Sequence, residues 1–192
     1  MDWQYANLAR HKLEMARRHL TEFEKEFPNA AVSDPQGADD SRAELEGHAD
    51  GCVMQAYAAF DTFACGIAVR FGLRKPENAS LNRLVPRLEE PSPPYVSKEV
   101  VDALAVIQHV VNDDGWKRLS YYRNHAGHKG PLLQAVHRHW EGKITARIGD
   151  FDSPYHGNGS EVQPILVQQL EWAEESLPPL LTLLDKPNVT SG

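Results

Sequence analysis

Between Leu45 and Phe71 apolar residues recur every three or four positions: Leu45, Ala49, Cys52, Ala56, Phe60, Phe63, Ile67 and Phe71. That spacing predicts an amphipathic helix. Val53, Ala59 and Ala64 widen the stripe beyond what one contact would bury, so the helix must be covered from more than one side. We expect it to start around Asp39 to Ser41, to end at Gly72 and Pro76, and to form the centre of a bundle.

The rest of the chain supplies helices to surround it. Ala6, Leu13, Leu20 and Phe27 recur every seven residues, with Ala9, Ala16 and Phe23 three after each, which predicts a long first helix ending near Pro28. The run from Asn29 to Ser41 has the Asn, Asp, Pro, Gly and Ser content of a loop. Pro76, Pro86, Pro91, Pro93 and Pro94 make residues 74–97 a Pro-rich connection with at most a short helix around Leu81 to Leu88. Ser97 is placed to cap a third helix, with Glu99 in its first turn and Val100, Leu104, Ile107 and Val111 facing inward. A break is expected over Asn112 to Gly115. Trp116 to His125 then reads as a further helical piece with Trp116, Leu119 and one of Tyr121 and Tyr122 inward, limited by Gly127, Gly130 and Pro131. Val136 to Trp140 and Ile144 to Ile148 alternate around Glu141 and Gly142, which predicts a small β-hairpin near residues 136–148. The last helix should start at about Pro164 and present Leu166, Leu170, Ala173, Leu177, Leu180 and Leu184, with a kink or restart at Pro178 and Pro179. There is no internal repeat. The expected class is all-α, one domain over residues 1–192 built from four to five helices, with an insertion at about 131–160.

Hydrophobic residues are 41% and charged residues 24% of the chain, values of a folded globular protein. The first twenty residues spread charge throughout, unlike a signal peptide, and no stretch approaches the ~20 apolar residues of a membrane span. Cys52 and Cys65 lie in an apolar helical pattern without CxxC spacing, so both read as buried thiols. These features make the cytoplasm, away from membranes, the expected compartment. The formal net charge of −7 argues against a generic nucleic-acid binder, which would usually show a basic excess. The charge is uneven, however. From Gly115 to Trp140 there is no Asp or Glu, while Lys117, Arg118, Arg123, Lys129 and Arg138 are cationic, so this window is +5 and the remainder carries −12.

Inside the window the segment Tyr121 to Gly130 reads YYRNHAGHKG. In a helix Asn124 and His128, four apart, share a face, whereas Arg123 and His128, five apart, diverge by about 140°. Bringing them to one phosphate requires either a turn at Gly127 or a second copy of the segment. RNA cleavage without a metal needs a base for the 2′-hydroxyl, an acid for the leaving 5′-oxygen, and cationic donors for the charge building on phosphorus. Histidine, arginine and an orienting amide are residue types that meet those needs. Each has a plainer explanation: His128 as a helix C-cap, Arg123 as a surface ion-pair partner, Tyr121 and Tyr122 as core aromatics. A metal centre is disfavoured, because the pairs His125 with His128 and His137 with His139 have no Cys or carboxylate ligand in the window.

Arg123, Asn124 and His128 fit the R-N-x-x-x-H pattern of the HEPN superfamily, and the chain resembles that family in helix order and aromatic content. The resemblance implies an up-and-down helical bundle and a metal-independent endoribonuclease that needs no cofactor. It implies a homodimer acting on RNA to leave a 2′,3′-cyclic phosphate, in a toxin–antitoxin or defence setting with an antitoxin or other partner protein. His128 would be general acid or base, Arg123 would stabilise the pentavalent phosphate and Asn124 would orient. Lys117, Arg118, Lys129 and Arg138 would add salt-sensitive phosphate contacts. Gly127 departs from the bulky apolar residue expected before the histidine, which weakens helical positioning of the imidazole. A non-catalytic module of the same type, binding RNA, a nucleotide or a protein partner through this surface, is the alternative.

Overall fold

The computed structural model describes residues 2–28, 35–89, 98–128, 130, 132–138, 144–148 and 160–185. Among these the fold is mainly helical: α1 Asp2–Glu26, α2 Pro35–Arg70, α3 Leu81–Glu89, α4 Lys98–Asn112, α5 Asp114–His128 and α6 Val162–Asp185, with a 3-10 turn at Pro76–Asn78. A small antiparallel sheet joins β1 Leu133–Arg138, β2 Ile144–Ile148 and β3 Ser160–Glu161 in that order, between α5 and α6. Six helices thus replace the four to five expected, because the short piece after Pro76 and the segments on either side of Asp113 are separate elements.

Helix α2 is the hub, packing against α1, α3, α5, α6, the 3-10 turn and β1. Its buried set follows the sequence stripe from Leu45 to Ile67 and includes the flanking Val53, Ala59 and Ala64. Helix α1 buries Ala6, Ala9, Ala16, Leu20 and Phe23, and α6 buries every leucine of its predicted stripe. Small residues let these helices approach closely. A Cβ on Gly66 would lie 2.8 Å from Tyr5 and 2.9 Å from Leu184, so α1, α2 and α6 meet where only glycine fits. Over Arg42–Arg70, α2 is long and apolar enough to cross a membrane by length and composition, contrary to the sequence reading, but 61% of its most apolar window is buried inside the fold. The same stripe that surrounds a core helix with neighbours raises its hydropathy.

Three details differ from expectation. Helix α2 starts at Pro35, with proline at a first-turn position that lacks a hydrogen-bond partner in any helix. Helix α6 begins at Val162 and continues through Pro178 and Pro179 without a restart. Both prolines are exposed, so water can satisfy the carbonyls whose N–H partners they remove. In α4 the buried line is Ala103, Ile107 and Val110, with Val100, Leu104 and Val111 half-buried beside it. Ser97, the prolines after Glu89, the hairpin tip at Glu141 and Gly142, and the loop before Ser160 lie outside the described residues.

The end of α2 sets up the functional corner. Gly72 has φ 63°, its N–H bonds the Val69 carbonyl at 3.1 Å, and the Leu73 N–H bonds the Ala68 carbonyl at 2.8 Å. This pair of bonds is a Schellman cap, which turns the chain sharply off the helix and back along α2 as the 3-10 turn and α3.

Candidate functional site

Helix α5 carries the motif and is held at both ends. The Asp113 carboxylate accepts the Gly115 N–H at 2.7 Å, an N-cap that separates α5 from α4. Trp116 is buried against Tyr57 at 4.9 Å and Phe60 at 5.4 Å between ring centroids, and Trp172 stacks on Phe60 at 5.3 Å. The Trp116 indole N–H also donates to Asn82 Oδ1 at 2.7 Å, tying α5 to α3. Beyond α5, the Asp50 carboxylate accepts the Leu132 N–H at 2.9 Å and anchors the entry to β1. Leu119 and Tyr122 complete the inward face, so Tyr122 rather than Tyr121 is the buried tyrosine.

This fixed helix runs unbroken through Gly127 to His128, and Gly127 has no left-handed φ. No turn brings Arg123 and His128 together. Asn124 and His128 share one face, and Arg123 points about 140° away from His128. Arg123 lies over the Tyr57 ring, 5.0 Å from its centroid, and donates through Nη1 to Asn124 Oδ1 at 3.0 Å. With its oxygen engaged in this way, the Asn124 NH2 is the group left to donate. Both residues line a recess of about 430 Å³ between α2, the 3-10 turn, α3 and α5, with Asp61, Asn78, Asn82 and Arg83.

Asp61 is the recess's inner carboxylate. It accepts the Leu81 N–H at 3.2 Å, at the start of α3. Burial raises its pKa above the ordinary 3.8, against the lowering effects of the Leu81 N–H, Arg123 and Arg83. Burial likewise raises Tyr57, with the Asp61 charge adding to it. The two arginines therefore face a partly desolvated carboxylate without closing on it as ion pairs, among the described residues.

The other candidates are placed differently. His128 is exposed and lines neither this recess nor a second one of about 350 Å³ beside Lys117, Tyr121 and Asn124. Lys117 pairs with Asp114 at 2.8 Å, within its own helix. Arg118 is half-buried on the same helix. Lys129 lies outside the described residues, and of Arg138 only the backbone, in β1, is described. His125 is half-buried near enough to Asp50 to lower its pKa, while burial, the larger effect, raises it. No cluster of three His, Cys, Asp or Glu exists among the described residues. Cys52 is buried and its thiol is pushed up to about 12, chiefly by burial, so it is inert. Cys65 donates to the Ala79 carbonyl at 3.6 Å.

Asp61, Asn78, Asn82 and Arg83 were not identified from sequence. A signal existed: from Arg70 to Arg87 there are five cations and one acid, Glu77, in a chain that is acidic overall. The prolines drew that stretch into the connection class.

The fold and site define a mainly helical protein with an arginine–asparagine pair set in a polar recess beside its central helix. No protein-family model matches the chain, and comparison with curated proteins and with solved structures likewise finds no match.

Proposed function

We propose that the protein is a metal-independent endoribonuclease of HEPN type, acting as a two-fold dimer. The observation that carries this reading is the arrangement on α5. Arg123 is oriented by Tyr57 and Asn124 toward a polar recess, while His128 stands exposed about 140° round the same helix from Arg123. A residue pair that cannot converge within one chain can converge across a dyad, where the His128 of one copy meets the Arg123 of the other. In that assembly Arg123 neutralises charge on the pentavalent phosphate, Asn124 donates its free NH2 to a phosphate oxygen, and His128 moves the proton. The 2′-oxygen attacks phosphorus as it gives up its proton, the 5′-oxygen leaves and takes one, and a 2′,3′-cyclic phosphate remains. The setting is a toxin–antitoxin or defence system in the cytoplasm.

Purified protein should cut mixed RNA in EDTA and leave cyclic phosphate ends. His128→Ala should slow cutting by about 10²–10⁴-fold, the usual contribution of a general acid or base. Arg123→Lys should also fail, since an ammonium lacks the planar fork. Activity that dies in EDTA and returns with zinc would overturn the reading. The exposure of His128 favours a second one, a non-catalytic module that holds RNA, a nucleotide or a protein at the Arg123 recess. Wild-type protein that binds RNA and cuts none of a broad panel selects it.

A further inference from the structure

The Arg123 recess adjoins a larger one. A depression of about 630 Å³, bordered by the Schellman turn and by Arg74, Lys75 and Arg87, shares Asn78 and Arg83 with it. Across the two stand five cations, Arg74, Lys75, Arg83, Arg87 and Arg123, against two carboxylates, Asp61 and Glu77. Among the described residues, Arg74, Lys75 and Arg83 have no carboxylate within ion-pair distance, although the chain has 27 acidic residues to offer. Cations gathered this way repel one another, and an outside anion removes that repulsion.

The backbone supports the same conclusion. Lys75 has φ 50° and ψ 61°, the left-handed region that glycine or asparagine adopts more easily. A lysine there keeps a long cationic side chain at a conformational cost, which points to use of the side chain. Arg87 donates to the Arg74 carbonyl and so fixes the loop that carries Arg74 and Lys75.

We propose that this corner is a cationic track for the phosphodiester backbone of a single RNA strand, leading it past Arg83 to Arg123. The proposal rests on the reading of Arg123 as a contact to RNA phosphate, and adds the path by which the strand arrives. A continuous concave groove follows one flexible backbone, whereas a duplex presents its phosphates on a convex surface. Tyr57 lies under Arg123 and is buried, so at Arg123 the track grips phosphate and does not stack a base on that ring. Binding should be salt-sensitive and tolerant of sequence.

The test is fluorescence anisotropy of a labelled 20-nucleotide oligouridylate across a range of KCl concentrations, in the full chain, with the His128→Ala background preventing cutting. Arg74→Gln with Lys75→Gln should weaken binding by roughly tenfold or more at low salt. It should also flatten the slope of log affinity on log salt by about 1.4, at ~0.7 per lost single-strand contact. Arg18→Gln with Lys12→Gln, the same charge change on α1, should leave both nearly unchanged. Lys75→Gly separates binding from folding: it should raise the melting temperature by removing the left-handed strain, yet weaken RNA binding. An unchanged affinity and slope in the double variant would overturn the track, as would displacement of the strand by uridine monophosphate at equal concentration. Wild-type protein that cuts RNA while the track variants bind normally sinks the track alone. Track-dependent binding without cutting by wild type sinks only the ribonuclease reading.

Discussion

Most arginines of the α1–α2–α6 side are paired with carboxylates, whereas among the described residues most cations of the α2–α3 corner are not, although both regions belong to the same acidic chain. Arg10 pairs with Asp185 at 3.0 Å, Arg17 makes a two-point contact with Glu174, and Arg42 pairs with Glu46 at 2.7 Å. Arg70, the last residue of α2, is almost fully buried and donates through Nε to Glu99 of α4 at 3.0 Å. Four residues later the pairing stops: Arg74, Lys75 and Arg83 face a groove instead of a carboxylate. Where a cation serves the fold, the sequence supplies its counterion. If an open cation serves an outside anion instead, stability should hardly notice its removal.

The largest effect on stability is expected at the boundary. Glu99→Ala leaves the Arg70 guanidinium, 3% exposed, without that carboxylate and should cost roughly 2 kcal/mol in urea denaturation, in the range for a hydrogen bond between charged groups and below that for a fully buried pair, since Glu99 is 34% exposed. A loss near zero would erase the contrast between the two regions.

Acid should expose a weakness on the paired side. His19 of α1 and His48 of α2 lie with their Nδ1 atoms 3.4 Å apart, and Gly51 leaves room for the His19 ring, where a Cβ would sit 2.6 Å from it. Burial, and secondarily the His48 charge, hold His19 below its ordinary 6.5. Because the folded pKa is the lower one, the stabilisation is present above about 6.5 and is lost as pH falls through the folded value. Glu22, beside His48 and paired with Lys25, faces the same place and only partly offsets the new charge. Thermal melts from pH 7.5 to 5 should show a decline that His19→Gln reduces.

Smaller still, Glu174→Gln should cost at most about 1 kcal/mol and less at high salt, since Arg17 is 55% exposed. Smallest of all, Arg74→Gln should change stability by less than about 0.5 kcal/mol. If it costs more than Glu174→Gln, Arg74 is structural and the groove loses its meaning.

How much of this was legible beforehand depends on the kind of signal. Periodic burial was readable: the stripes of α1, α2 and α6 rest on a repeat that any packed helix must show. The motif's geometry was also readable: the five-residue offset of Arg123 from His128, and the four-residue offset of Asn124, survive in the unbroken helix. The groove was not. Its residues come from a loop, a 3-10 turn and two helices far apart in sequence, and Asp61 looked like one more polar position on a core helix. The cations at 70–87 lie in a Pro-containing stretch that reads as a connection, whereas Lys117, in the acid-free window, pairs within its own helix with Asp114. Composition locates charge; only tertiary structure says whether it is already neutralised.

If Arg123 of one copy works with His128 of another, as we propose, complementation between two inactive variants should restore activity. Arg123→Ala and His128→Ala proteins, each inactive alone, are mixed under conditions that exchange subunits and assayed on RNA in EDTA. Each mixed dimer then holds one intact composite site, so activity should recover to roughly a quarter of wild type at equal mixing, half the dimers each with one of two sites. If the mixture stays as inactive as its components while subunit exchange is verified, the two residues do not act across the dyad, and the account of the site is wrong.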